Sequence, residues 1–335
     1  MKDIVKIAID AMGGENAPNK IIKGIEISLK TNKKNFFFIY GNSKIIEKEI
    51  SKNKLVKDFS EIVDTKDIIS DDESPLNAAK KSKETSMWKT VESQKDNKAD
   101  ISLSAGNTGA LLVISRLILD TIKGIDKPAL AALWPNKNNM SVVLDLGANI
   151  ECDHKNLLDF SIMGSSLFKS LFSIDKPKIA LLNVGLEENK GNDVLKKTFS
   201  ILKDSKMKDF EFSGYIEGSQ IMDGNVDVIV TDGFTGNVAL KTAEGTSNFI
   251  TKNLKKSLNK LSILLSYYSL KKFKEKLDPR KYNGAIFLGL QGPVVKSHGS
   301  TDAVGFANSI DVCHKIVRAN LIEKIQSNLI SLDVK

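Results

Sequence analysis

Short β-branched runs that break at glycine into amphipathic helical spacing predict an α/β protein with a largely parallel sheet and helices on both faces. Three stretches carry this expectation. In A-D-I-S-L-S-A-G-N-T-G-A-L-L at 99–112, Ile101, Leu103 and Ala105 alternate with Ser102 and Ser104, and the chain turns at Gly106-Asn107-Thr108-Gly109. Leu111, Leu112 and Leu119 then continue at helical spacing. V-D-V-I-V-T-D-G-F-T-G-N-V-A-L at 226–240 repeats the pattern with breaks at Gly233 and Gly236, and D-A-M-G-G-E-N-A-P at 10–18 ends a third strand.

Taken in order, Val5 to Asp10 reads as the first strand, and Pro18 opens a helix in its first turn. Phe36 to Gly41 is a buried strand, lysine-rich helical sequence follows, and 54–65 holds a further short strand. Ser70-Asp71-Asp72-Glu73-Ser74-Pro75 starts a helix expected to run through Met87 and Trp88, with Pro75 at N1 and the acids favouring the helix dipole rather than a metal. After the 99–112 turn a helix runs toward Ile122, and Lys127 to Pro135 leads into a buried strand at Met140 to Ala148. A helix at 155–172 and a strand at Ile179 to Asn183 follow. In the loop 184–192, Glu187 and Glu188 read as helix-start acids and Lys190 is placed to reach into a cleft. The region Gly284 to Ser300 ends in the polar turn Lys296-Ser297-His298-Gly299-Ser300, and a terminal helix is expected from about Thr301 to Leu329. No repeat or low-complexity linker divides the chain, so residues 1–335 read as one unit whose strand-end loops converge on one sheet edge.

Composition narrows the class of protein. No run of 18 apolar residues and no signal-peptide pattern occur, which predicts a cytoplasmic protein. Cys152 and Cys313 are too few for a disulfide framework, and His154, His298 and His314 lack zinc-site spacing, so no metal and no cofactor are implied. Of the net charge of +8, residues 249–277 hold eight lysines and one glutamate, a local +7. Ile250, Leu254, Leu258, Leu261, Leu265 and Tyr268 recur there at intervals of three and four, with Lys252, Lys255, Lys256 and Lys260 between them. Such a basic amphipathic helical segment packs on the protein or a dimer partner, or it protrudes toward an acidic protein or an anionic membrane surface. Nothing in the sequence points to nucleic acid.

A strand, glycine turn and helix N-terminus leave backbone N–H groups free to hold an anion without a basic side chain. Two such turns suggest a cleft with two anion-facing walls. Neither fits the dinucleotide or P-loop spacing, so they indicate phosphate or an oxyanion rather than a nucleotide. The serine, histidine and aspartate at 297–302 stand too close together for a hydrolase triad, and no G-x-S-x-G elbow is present.

Taken together, I-A-I-D-A-M-G-G-E-N-A-P at 7–18, S-D-D-E-S-P at 70–75, S-A-G-N-T-G-A-L at 104–111 and K-P-A-L-A-A-L at 127–133 closely resemble one family. L-D-L-G-A-N at 144–149, D-G-F-T-G-N-V-A-L-K at 232–241 and K-S-H-G-S at 296–300 continue the likeness in the same order. It is the acyl-carrier-protein:phosphate acyltransferase (PlsX) family. The resemblance implies a fold like that of isopropylmalate dehydrogenases and phosphate acetyltransferases. It also implies a homodimeric, peripherally membrane-associated enzyme that makes acyl phosphate from long-chain acyl carrier protein and inorganic phosphate. A glycerol-3-phosphate acyltransferase would use that product downstream in phospholipid synthesis. Glu15, Leu186 and Ser219 depart from the family's usual aspartate, glutamate and arginine.

Phosphate attacks a thioester without a side-chain nucleophile, so the protein must supply position and charge stabilisation. Lys190 and Asn237 are the expected catalytic residues, with Asn107, Thr108, Gly109, Gly236, His298 and Ser300 around the phosphate or oxyanion. Lys252, Lys255, Lys256 and Lys260 are the expected docking residues for carrier protein or membrane. The alternative enzyme is a phosphate acetyltransferase-like protein using short acyl-CoA. An NAD- and metal-dependent dehydrogenase of the same fold is disfavoured because Arg116, Arg280 and Arg318 are the only arginines.

Overall fold

The computed structural model describes residues 4–333 apart from 52, 81–82, 206, 259–265, 267, 269 and 272–277. The strands are β1 (Val5–Asp10), β2 (Asn35–Gly41), β3 (Ser60–Asp64), β4 (Ile101–Ser104), β5 (Ala129–Pro135), β6 (Met140–Leu144), β7 (Lys178–Asn183), β8 (Glu211–Glu217), β9 (Val228–Val230), β10 (Ala285–Leu288) and β11 (Val294–Lys296). The helices are α1 (Asn19–Thr31), α2 (Ser43–Ile50), α3 (Lys54–Asp58), α4 (Pro75–Lys80), α5 (Ser86–Lys95), α6 (Thr108–Leu119), α7 (His154–Phe172), α8 (Asp193–Asp204), α9 (Gly233–Ser257), α10 (Ala303–Arg318) and α11 (Leu321–Asp333). All strands join one sheet in the order β3-β2-β1-β4-β11-β10-β5-β6-β9-β7-β8.

The expected α/β class is present, and most pairings are parallel. The pairs β10–β11, β10–β5 and β5–β6 are antiparallel. The half-sheet β3-β2-β1-β4-β11 therefore runs opposite to β6-β9-β7-β8. This corrects the expectation that several strand-end loops converge on one edge: those of the two half-sheets lie at opposite edges. Strands that alternate with helices give no sign of a direction change, because the change is made by β10 and β5, whose pairings are non-local.

Both faces of the sheet are covered, so central strands are apolar at successive positions. On β6, Val142 and Leu144 join one core cluster and Val143 the other. On β9, Val228 and Val230 face one side and Ile229 the other. Gly24 of α1 lets α10 approach: a Cβ there would stand 2.9 Å from the Phe306 ring.

Local chemistry divides two helices that periodicity alone would join. Pro75 starts α4 as expected, but α5 begins afresh after Thr85, whose hydroxyl accepts from Trp88 N–H. Near the C-terminus Asn320 takes a φ of 51° and separates α10 from α11. The opposite happens at α9, which runs unbroken from Gly233 to Ser257. The first part of the basic segment is thus the far end of the helix that starts at the 233–236 turn. Lys260 and most of 259–277 lie outside the described residues, as does the Lys255 side chain. Among the described residues no helix is long and apolar enough to cross a membrane.

Candidate active site

The ends of β1, β4 and β11 meet in one corner. Asp10, at the end of β1, is buried and accepts from Ser86 Oγ and Ser104 Oγ at 2.7 Å each, and from Met12 N–H at 3.2 Å. Gly13 is there for close approach, since a Cβ would stand 2.5 Å from Gly106 N. Gly14 has a φ of 80°, and its missing Cβ would meet Ala105 O at 2.8 Å and Gly299 O at 2.9 Å. Above them, Asn107 caps α6: its Oδ1 accepts from Ala110 N–H, while its Nδ2 donates to Asp71 O and Glu73 O at 3.0 and 2.8 Å. Both polar ends of Asn107 are therefore engaged in positioning the α6 N-terminus. Thr108 is exposed beside it, and Gly109 packs on Pro75.

Two lysines close this corner. Lys296, at the end of β11, donates to Ala105 O at 3.3 Å and to Ser297 O. Lys20, in the first turn of α1, donates to Gly299 O. They are 8% and 5% exposed. Burial pushes the Lys296 ammonium down to about 8, and lowers Lys20 as well. In the adjoining loop, Ser300 Oγ lies 3.0 Å from His298 Nδ1, and partial desolvation lowers the histidine.

The ends of β6, β7 and β9 form a second corner. Asp145 is fully buried and is the hub of its turn. Its Oδ1 accepts from the amides of Leu130, Gly147 and Ala148 at 3.0, 3.1 and 2.9 Å. Its Oδ2 accepts from Asn149 N and Nδ2 at 2.8 Å each. Asn149 O in turn accepts from Gly233 N–H at 2.8 Å, which docks the start of α9 on this turn. Asp232 caps α9 through Thr235 N–H at 2.8 Å. A Cβ at Gly236 would overlap Asp145 O, so Gly236 is a packing position. Asn237 is exposed beside Gly147, and Lys190 is exposed in the loop after β7. Ile150, Val184, Leu186, Phe234 and Val238 make an exposed apolar rim around this corner.

The structure thus sorts the expected site into two groups. Asn107, Thr108, Gly109, His298 and Ser300 stand at the first corner; Lys190, Gly236 and Asn237 stand at the second. α9 links them, because its Lys241 and Glu244 lie within electrostatic reach of His298, and Lys241 also of Lys296. From Gly233 to Lys241 the helix rises about 12 Å. Two surface hollows, lined by Arg318 to Ser327 and by Lys203 to Phe212, lie away from both corners. Lys252 and Lys256 are exposed toward the far end of α9.

Sequence reasoning missed Asp145, Lys20 and Lys296 as organisers of the corners. Lys296 opens the K-S-H-G-S motif and so was visible, but one buried lysine does not stand out in a chain with so many. Lys20 carries no signal of its own.

Residues 5–324 match the model of the fatty acid synthesis protein family. The chain belongs to that family. The chain is similar to "Phosphate acyltransferase" of Pelagibacter ubique (strain HTCC1062), 60% identical over 334 residues, covering 98% of this chain and 100% of that protein. "Phosphate acyltransferase" of Afipia carboxidovorans is 42% identical over 331 residues, covering 97% of this chain and 94% of that protein. In fold, this family member is similar to a phosphotransacetylase from Streptococcus pyogenes, with a TM-score of 0.62 at 16% identity, covering 96% of this chain and 94% of that one. That likeness supports the expected phosphate acetyltransferase-like fold.

Proposed function

We propose that this protein transfers a long-chain acyl group from acyl carrier protein to inorganic phosphate, forming acyl phosphate for phospholipid synthesis. The match to a phosphate acyltransferase at 60% identity along 98% of the chain carries this reading. In the reaction a phosphate oxygen bonds to the thioester carbon, the C–S bond breaks, and the carrier thiolate leaves and takes up a proton. Neither cysteine suits an acyl-enzyme route. Burial pushes the Cys152 thiol up to about 11, and Cys313 is fully buried and higher still. Inorganic phosphate is anionic at neutral pH and serves as nucleophile itself.

On this reading the first corner takes phosphate, with the α6 N-terminus, Thr108, Gly109, His298 and Ser300 around it. The fatty thioester lies along α9, its carbonyl turned to the phosphate at the first corner and its chain over the apolar rim, and Lys190 and Asn237 reach toward the oxyanion from the second corner. Lys190→Ala and Asn237→Ala are each expected to lower kcat about a hundredfold, the scale of losing one oxyanion donor. Folded variants with undiminished kcat would remove both residues from the chemistry. The assay is phosphate-dependent release of carrier protein from its long-chain acyl form. Run beside acetyl-CoA, it separates this activity from a short-chain phosphotransacetylase, which the fold alone also allows.

The basic end of α9 is the proposed docking surface for the acidic carrier protein, with an anionic membrane surface as a second contact and a homodimer as the working unit. A glycerol-3-phosphate acyltransferase would consume the product. Reversing Lys252 and Lys256 to glutamate is expected to raise the KM for acyl carrier protein severalfold at low salt. The difference should fade as salt screens the charges. An unchanged KM at low salt would reduce these lysines to surface solubility.

A further inference from the structure

We propose that Lys20 and Lys296 together hold the oxygens of inorganic phosphate, and of the acyl phosphate product, in the corner between the 12–14 turn, the α6 N-terminus and the 297–300 loop. This deepens the acyltransferase reading and rests on it. Both side chains are more than nine-tenths buried, yet among the described residues neither ammonium forms an ion pair. Each donates only to main-chain carbonyls. Burying a cation without a paired carboxylate opposes folding, so a pair of such cations at one spot calls for an anion that arrives later.

The two converge. Ala105 O lies 3.3 Å from Lys296 Nζ and 2.8 Å from where a Cβ at Gly14 would stand. That same position is 3.0 Å from Lys20 Nζ. The Gly14 turn thus packs between the carbonyls that the two ammonium groups hold, and a side chain there would crowd Lys20. Charges of both signs act on the pair, and Lys20 itself repels Lys296. Asp10 on β1 is buried and attracts Lys296, while two serine hydroxyls and an amide donate to it. Asp71 and Glu15 are exposed, Asp71 acting on both lysines and Glu15 on Lys20, while Lys241 on α9 adds positive potential at Lys296. The α6 N-terminus contributes the positive end of its dipole on the same side. An anion entering past Thr108, His298 and Ser300 would meet both lysines.

The test measures phosphate affinity with phosphorus NMR titration of the enzyme alone, and steady-state kinetics with long-chain acyl carrier protein. Lys20→Met and Lys296→Met keep the apolar stems and remove charges whose burial opposes folding, so both are expected to fold. Each should weaken phosphate binding and raise the KM for phosphate at least tenfold, with the KM for acyl carrier protein within twofold of wild type. A second readout needs no variant. In the wild type the KM for phosphate should climb above about pH 8, as Lys296 loses its proton. Folded variants that bind phosphate as the wild type does would show the lysines to be a structural staple for the three loops, and would overturn the proposal. So would a wild-type KM that stays flat from neutral pH to well above 8. The two readings fail separately. Phosphate binding that needs both lysines, without release of carrier protein, would sink the acyltransferase reading alone; normal turnover with an unchanged phosphate KM in both variants would sink the lysine pair alone.

Discussion

Alanine in place of Asp145 is expected to cost about 4 kcal/mol or more and to leave little folded protein at 37 °C. The carboxylate is fully buried and accepts five hydrogen bonds, four from main-chain amides and one from Asn149 Nδ2. An unsatisfied buried donor costs about 1–3 kcal/mol, and whole-domain stability is only about 5–15 kcal/mol. Even partial rehydration of the turn leaves several of these penalties in place. Asp145→Asn should also destabilise, since its amide would point one donor at others. Urea denaturation followed by far-UV circular dichroism measures the effect. An alanine variant as stable as wild type would mean that the turn is held by something other than this carboxylate.

Gly236→Ala should displace the start of α9, costing about 3 kcal/mol. The added methyl would overlap Asp145 O and stand 3.0 Å from Thr231 Cγ2. The first contact is main chain held by the Asp145 hub, so it cannot move aside cheaply. Asn237 is the next residue, and its side chain would shift with the helix, so kcat should fall along with stability. Gly245 in the same helix is the control, because nothing lies within 4 Å of its Cβ position. Gly245→Ala should be neutral or stabilising by up to ~1 kcal/mol, the helix-propensity difference between the two residues. Equal, small effects at both positions would contradict the docking of α9 on the β6 turn.

These two residues mark how far the sequence could be read. The strand-turn-helix corners at Ser104 to Leu111 and Thr231 to Leu240 were legible because period-two and period-3.6 patterns change at a glycine, which is local chemistry. The direction of the half-sheets was not, since it depends on β10 pairing with both β11 and β5. Gly236 looked like an anion-binding glycine and proved to be a contact with Asp145, because a sequence does not say which backbone a missing Cβ leaves room for. Asn107 was legible as a site residue, but its side chain caps α6 and clamps the 71–73 loop, so its part is to position the helix. Asp145 itself lay in plain view in L-D-L-G-A-N, yet five donors converging on one carboxylate are a tertiary fact.

The account depends on inorganic phosphate being the group that attacks the thioester. Among the described residues, the arrangement that competes with it is Ser300 Oγ 3.0 Å from His298 Nδ1, which has the makings of a serine nucleophile and its base. A single-turnover experiment with enzyme in excess over long-chain acyl carrier protein decides between them. Without phosphate, the account predicts no free carrier protein and no acyl group on the enzyme by intact-mass spectrometry, and adding phosphate should release carrier protein and acyl phosphate in equal amounts. A stoichiometric burst of free carrier protein in the absence of phosphate, with the acyl mass found on the peptide containing Ser300, would contradict it.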